Sequence, residues 1–224
     1  MDIKVKSLFL KSSPRKVRPV LHGLRGMVLE AALVELKFTN KSLVRHRGDM
    51  YFDAEKYDKA VVDYTELIMK YGEKKNDTIF LRRGSCYNNL GKYDLANTDF
   101  NKAITYNREN TFLYVYRAEN KVKQKNYTAA QIDLNKALSV DSKNLKALEL
   151  RAQIYFNQNK FLLAIEDLNY VIKIKPTSEA YYQRAVCKQL SKDPKGPCED
   201  LIKAATMGHE ESKRIAAKNC GYGL

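Results

Sequence analysis

Small and apolar residues recur along this 224-residue chain with a period of about 34 positions. Five arginines, each followed by glycine or alanine, mark the period, and they stand 36, 34, 34 and 33 positions apart. A segment of this length cannot bury an apolar face alone, so the repeat predicts units that stack on one another. The five dipeptides are Arg47-Gly48, Arg83-Gly84, Arg117-Ala118, Arg151-Ala152 and Arg184-Ala185, and the residues thirteen positions after the arginines are Ala60, Ala96, Ala130, Ala164 and Pro197.

Each unit carries the pattern of two helices. Large side chains stand three positions before the alanine and four positions after it, which places them on one helical face. Small residues on both helices allow a close crossing, while the large ones fill the space between successive pairs. The large positions are Tyr57, Tyr93, Tyr127 and Phe161 before the alanine, with Pro194 in the fifth unit, and Tyr64, Phe100, Leu134, Leu168 and Leu201 after it.

With these residues the unit resembles the tetratricopeptide repeat, a family whose 34 residues form two antiparallel helices. The resemblance covers about residues 41–211 and implies an all-α fold, a right-handed α-solenoid of about five antiparallel helix pairs. In the fifth unit, Pro194, Gly196 and Pro197 predict a second helix that is shifted or that restarts with Pro197 in its first turn. The predicted repeats are 41–74, 77–110, 111–144, 145–177 and a degenerate 178–208, followed by a capping helix over 209–219 and a tail over 220–224.

Every one of the five arginines is followed sixteen positions later by aspartate. The arginine lies on the first helix and the aspartate on the second, so a bidentate pair between them is geometrically reasonable. We interpret the set as an ion-pair ladder that fixes the stacking of repeats; the alternative is a charged stripe that binds a ligand. The pairs are Arg47 and Asp63, Arg83 and Asp99, Arg117 and Asp133, Arg151 and Asp167, and Arg184 and Asp200.

The resemblance also implies where a partner would bind, because the first helices of such repeats line a concave groove that holds a peptide. Some members clamp a carboxylate with lysine and asparagine four residues apart, but this chain has Arg45 and Asp49 there, and the aspartate would repel a carboxylate. We therefore expect a protein or peptide partner of another kind. The predicted groove residues are Arg45, Phe52, Asn88, Asn89, Phe112, Glu119, Lys123, Lys146, Gln153, Phe156 and Tyr182.

The N-terminal segment has a different character. Through Arg47 it holds six lysines and five arginines against three acidic residues, a net charge of +8 out of +14 for the chain. A weak strand over 3–10 and helices over 17–27 and 29–38 are predicted. The motifs Ser13-Pro14-Arg15-Lys16-x-Arg18, Leu24-Arg25-Gly26 and Lys37-Phe38-Thr39 resemble, over residues 3–42, the start of the twenty-second bacterial large-subunit ribosomal protein family. The small basic strand-helix-helix segment is bounded at 1–40.

That second resemblance implies contacts with ribosomal RNA phosphates, which position a protein without specifying sequence. The remaining helix and long hairpin of that family are missing after Leu43, because repeat one begins there. The alternatives are a segment that only caps repeat one, an organellar transit peptide, or a fusion without joint function. The implied RNA-contact residues are Lys11, Arg15, Lys16, Arg18, Arg25, Lys37 and Lys41, and the apolar residues that a cap would bury are Val20, Leu21, Leu24, Leu33 and Leu36.

Nothing in the sequence indicates catalysis. The three histidines are isolated, no glycine-rich phosphate loop occurs, and the four cysteines lack the spacing of a metal site or disulfide framework. No apolar run reaches the roughly 18 to 20 residues of a membrane span. We therefore expect a non-enzymatic protein without metal or cofactor, in a reducing, cytoplasmic compartment, with no membrane contact.

Overall fold

The computed structural model describes residues 41–71, 77–192, 196–221 and 223, and all eleven elements in these ranges are α-helices. The prediction of an all-α fold is confirmed for these residues. The strand over 3–10 and the helices over 17–27 and 29–38 lie outside the described residues. The helices are α1 (Lys41–Asp53), α2 (Tyr57–Tyr71), α3 (Asp77–Asn89), α4 (Tyr93–Tyr106), α5 (Thr111–Lys123), α6 (Tyr127–Val140), α7 (Leu145–Asn157), α8 (Phe161–Ile174), α9 (Ser178–Leu190), α10 (Cys198–Thr206) and α11 (Glu210–Asn219).

The helices belong to two compact units, one ending at Asp99 and one beginning at Phe100. In the first unit, α1 packs on α2 and α2 packs on α3. In the second unit, each helix from α5 to α11 packs on the next, and α5 also contacts α7. This order follows from the repeat, because consecutive short helices joined by tight turns lie next to each other in space.

The turn inside each repeat has the same backbone conformation. The residue eight positions after the repeat arginine has a positive φ, between 55° and 72°. In the first four repeats it donates its N–H to a helical carbonyl three positions back, and the next residue donates to a carbonyl five positions back, as in a Schellman motif. Glycine occupies this position in only one repeat, and the five residues are Glu55, Gly91, Lys125, Asn159 and Lys192.

Side chains in the preceding loops cap the N-termini of several helices. Asn144 is buried; its Oδ1 accepts the Ala147 N–H at 3.1 Å, and its Nδ2 donates to the Thr111 hydroxyl at 3.1 Å. The residue thus starts α7 and ties it to the first residue of the preceding repeat. Other helices begin with the same kind of bond, from Asn110 for α5, Asn126 for α6, Thr177 for α9 and His209 for α11.

The close crossing of α1 and α2 depends on Gly48. A Cβ at this position would stand 3.0 Å from a ring carbon of Tyr64 and 3.2 Å from Cβ of Asp63. The Tyr64 ring is held in place because its hydroxyl donates to Asp49 at 2.7 Å. Repeats three to five carry alanine with leucine at the two corresponding positions, so small and large residues compensate within each repeat.

Gly48→Ala is therefore expected to destabilise the chain by about 1 kcal/mol, although alanine favours a helix. The added methyl group must displace the Tyr64 ring. The double substitution Gly48→Ala/Tyr64→Leu recreates the alanine and leucine pair of the later repeats and should recover the loss. Urea unfolding of the three proteins measures this, and a single variant as stable as the wild type would contradict the packing argument.

The fifth repeat departs from the others at its second helix. In the first four repeats that helix begins ten positions after the arginine, whereas α10 begins fourteen positions after Arg184, with Pro197 as its N-cap. It also has 9 residues, against 14 in α8. The packing is retained, because Leu201 is buried with Ala185 of α9 and Ala216 of α11.

Cys198, at the start of α10, and Cys220, just after α11, form a disulfide bond. The expectation of no disulfide was wrong for this pair. It rested on the lack of closely spaced cysteines, but α10 and α11 are antiparallel neighbours whose outer ends meet although the two cysteines are 22 positions apart. Cys86 and Cys187 are buried thiols.

Candidate functional site

Each repeat arginine contacts the aspartate sixteen positions later. Its Nε donates to Oδ2 at 2.7 to 2.9 Å, and its Nη2 donates to Oδ1. The five aspartate side chains are only 1 to 5% exposed. Such bidentate pairs hold the two helices of a repeat in a fixed register.

The remaining guanidinium nitrogen reaches the preceding repeat, a contact that sequence reasoning missed. Nη1 of Arg117 donates to Asn101 Oδ1 at 2.6 Å, and Nη1 of Arg151 donates to Asn135 Oδ1 at 2.7 Å. The acceptor stands two positions after the aspartate of that earlier repeat, so the recurring Asp-x-Asn or Asp-x-Thr was the available signal. The other two contacts run from Arg83 to Thr65 and from Arg184 to Asn169.

Hydrogen bonding shifts the pKa of several residues of the ladder. The hydrogen bonds that they donate to the aspartates raise the pKa of Arg47, Arg151 and Arg184. Burial alone would raise the pKa of Asp200, but the hydrogen bonds from Arg184 and Lys188 outweigh it, and the pKa of that carboxyl lies below its usual value. The charges of each pair are thus satisfied within the chain, and the aspartates are buried.

A cavity of about 660 Å³ opens on the second unit among α5, α7 and α9. Its floor is apolar: Ala152, Leu168, Ala180 and Cys187 are buried there, with Leu150, Phe156 and Val186 half-buried. Its rim carries polar side chains. Five of the residues predicted from sequence to face a groove line it, namely Glu119, Lys146, Gln153, Phe156 and Tyr182.

Two predicted groove residues of the second unit lie outside this cavity. Phe112, at the start of α5, is 57% exposed, and Lys123 is exposed in the last turn of the same helix. Lys146 contacts α5 at residues between these two, because its Nζ lies 2.7 Å from Glu119 and 4.6 Å from the ring centroid of Tyr116.

In the first unit, α1 and α3 carry a charged cluster around Phe52. The guanidinium of Arg82 lies 4.8 Å from the Phe52 ring centroid and 3.9 Å from the carboxylates of Asp49 and Asp53. Asp49 also accepts the Tyr64 hydroxyl, and burial together with that bond raises the pKa of Tyr64. Asp49 is thus engaged within the chain at the position where a carboxylate clamp would need a donor.

The remaining predicted groove residues of the first unit differ in exposure. Arg45 and Asn89 are exposed, and Asn89 Nδ2 donates to the Ser85 carbonyl at 3.0 Å. Asn88 is only 7% exposed, so its side chain is buried rather than available on the surface. Among the implied RNA-contact residues only Lys41, an exposed residue of α1, belongs to the described ranges; Lys11, Arg15, Lys16, Arg18, Arg25 and Lys37 lie outside them.

Within the described ranges, no three histidine, cysteine, aspartate or glutamate side chains come together as a metal site would require. None of the helices in these ranges is long and apolar enough to cross a membrane. The two buried thiols are poor nucleophiles, because burial raises the pKa of Cys86 to about 12 and that of Cys187 to about 11.

Comparison with known proteins identifies the repeat. The tetratricopeptide repeat model matches residues 78–110 and 145–178. A crystal structure of MamA protein superposes with a TM-score of 0.65 at 18% identity, covering 82% of this chain and 97% of that chain. MamA from Desulfovibrio magneticus RS-1, residues 41 to the end, gives 0.67 at 18%, covering 79% and 98%.

YrrB, described as a TPR protein with an unusual peptide-binding site, superposes with a TM-score of 0.63 at 18% identity, covering 85% of this chain and 97% of that chain. At such identity a structural likeness shows the fold alone. Residues 78–110 and 145–178 thus match the tetratricopeptide repeat model, in a chain whose fold is similar to that of MamA and YrrB.

Proposed function

We propose that this protein is a non-catalytic scaffold that binds a peptide segment of a partner protein in the cavity among α5, α7 and α9. The observation that carries the proposal is the combination of an open apolar floor with a polar rim. An apolar floor releases water when a side chain covers it, and polar groups at the rim orient the bound chain. A tetratricopeptide fold in general supports protein interaction, and YrrB has a peptide-binding site.

The chemistry of the cavity favours binding over catalysis. Cys187 is the cysteine in the lining, and with a pKa of about 11 it is a thiol at neutral pH. The carboxylates of the rim lie on separate helices above an apolar floor, and one of them is already paired with Lys146. These features suit the recognition of a side chain rather than the activation of a bond.

Gln153→Trp tests the proposal. Gln153 is exposed at the rim, so an indole there should obstruct the cavity without disturbing the core. Peptides selected from a random phage-displayed library on the wild-type chain should bind this variant at least about tenfold more weakly, since loss of one buried apolar contact has that effect. Isothermal titration calorimetry with the selected peptides provides the measurement.

Thr128→Trp is the matched control, because Thr128 is exposed on α6 and does not line the cavity. It should bind the selected peptides as the wild type does. Equal affinities for the wild type and Gln153→Trp would refute the cavity as the binding site.

RNA binding through the N-terminal segment is a second candidate function, which the net charge of +8 through Arg47 favours. The full chain and a version that starts at Asn40 would be titrated with ribosomal RNA at several salt concentrations. An affinity that falls with salt and disappears with the deletion supports this function. Equal, weak binding by both proteins argues against it.

A further inference from the structure

The rim of the cavity in the second unit carries three glutamates and one lysine, on the first helices of three successive repeats. Lys146 is already committed, because its Nζ lies 2.7 Å from Glu119 and over the Tyr116 ring. This pair leaves no net charge on its side of the cavity. The charge available to a ligand therefore comes from Glu149 and Glu179.

Glu149 is exposed on α7, and no cation or hydrogen-bond donor among the described residues pairs with its carboxylate. A carboxylate at an apolar cavity attracts a ligand cation more strongly than one on an open surface, because the low-dielectric wall weakens screening. Glu149 lines the cavity together with Leu150 and Phe156 of the same helix, so its charge lies beside the apolar floor.

Glu179, on α9, is 60% exposed, and no lysine or arginine among the described residues pairs with it. Gln183 Nε2 donates to it at 2.7 Å, and His209 Nε2 lies 3.5 Å away. His209 Nδ1 accepts the Ser212 N–H at 3.1 Å. The imidazole also stacks on Tyr182 with a centroid separation of 4.4 Å, which fixes it beside the carboxylate.

We propose that this cavity selects peptides in which an apolar side chain is flanked by lysine or arginine, with Glu149 and Glu179 supplying the charge selection. The inference rests on the proposed function and specifies its ligand. The apolar residue covers Phe156, Leu168 and Val186, while the cations meet two carboxylates that no lysine or arginine among the described residues pairs with. An acidic peptide meets the same floor but is repelled at the rim, although the chain as a whole carries +14.

Three short capped fluorescent peptides test this with the full chain. The first has a central leucine between lysines, the second replaces the lysines by glutamates, and the third replaces the leucine by serine. Fluorescence anisotropy should show the first binding about tenfold tighter than the second at low salt, with a smaller difference at high salt. It should also bind about tenfold tighter than the third, because that peptide lacks the apolar residue.

The charge selection is assigned to its residues by the double substitution Glu149→Gln/Glu179→Gln. This protein should prefer the lysine peptide over the glutamate peptide by no more than about threefold, since two attractive pairs are lost. Glu109→Gln removes the same kind of charge from an exposed position that does not line the cavity, and it should keep the full preference.

The outcomes separate this inference from the proposed function. If the lysine and glutamate peptides bind equally and Gln153→Trp weakens both, the cavity binds peptides but the charge selection is refuted. Retention of the full preference by the double variant also refutes it, as does failure of the lysine peptide to bind the wild type. If the lysine peptide binds Gln153→Trp as tightly as the wild type, the cavity is not the site and the proposed function itself fails.

Discussion

Arg151→Ala is expected to lower the free energy of unfolding by about 3 to 5 kcal/mol, because it leaves the carboxylate of Asp167 buried without a cation. Arg151 supplies both bonds to that carboxylate, and no second cation pairs with Asp167 among the described residues. The substitution also removes the link to Asn135 in the preceding repeat. The melting temperature, followed by circular dichroism, should fall by roughly 10 °C.

Another arginine of the ladder, Arg117, provides a control for this prediction. Asp133 is bonded by Arg117 and also by Lys121, whose Nζ lies 2.7 Å away, so Arg117→Ala leaves a cation in place. Arg117→Ala should therefore lower stability clearly but by less than Arg151→Ala. The double substitution Arg151→Ala/Asp167→Ala should recover part of the loss, because it removes the stranded charge. Equal losses in the two single variants would show that the buried charge is not the cause.

The helical repeat could be predicted from sequence because the contacts that build it recur at constant spacing. An arginine and an aspartate sixteen positions apart meet in every repeat, since the first helix and the turn have nearly the same length each time. The turn is less visible in sequence. Its left-handed residue is glycine only at Gly91, whereas Glu55, Lys125, Asn159 and Lys192 adopt the same conformation because the surrounding hydrogen bonds impose it.

Contacts between repeats were harder to predict than contacts within them. The acceptor for Arg151 Nη1 is Asn135, two residues after an aspartate. This hydrogen bond can be predicted only when the stacking of the helices is known. The disulfide was missed for a related reason. A search for close cysteine spacings cannot detect two cysteines brought together by the return of α11 along α10.

The candidate cavity was predicted only in part. The resemblance to tetratricopeptide repeats placed Lys146, Gln153 and Phe156 on the groove face of α7, and all three line one cavity in the structure. Periodicity could not show that Lys146 is paired with Glu119 while Glu149 is left uncompensated, because pairing depends on distances between neighbouring helices. For the same reason, the spacing of residues along the sequence could not show that the Asn88 side chain is buried.

Cys198→Ser is expected to destabilise the C-terminal end of the second unit by about 3 kcal/mol, the chain-entropy value for a loop of this size. The disulfide closes a segment of 22 positions that contains α10 and α11. Among the described helices α11 is the last; it packs on α10, and Ala216 and Ser212 are its buried residues. Once the bond is absent, α11 should open before the rest of the unit. Hydrogen exchange should show loss of protection over 210–219, and the melting temperature should fall.

Reduction of the wild type provides an independent route to the same state. Wild-type protein in dithiothreitol should melt at the temperature of Cys198→Ser, and the variant itself should not respond to the reductant. Cys86 and Cys187 do not interfere, because burial raises their pKa values to about 12 and about 11 and protects both thiols in the folded protein. Thiol titration of the native chain should accordingly detect two additional reactive thiols only after reduction. If the melting temperature of the wild type is unchanged by the reductant, the disulfide bond does not hold α11 in place.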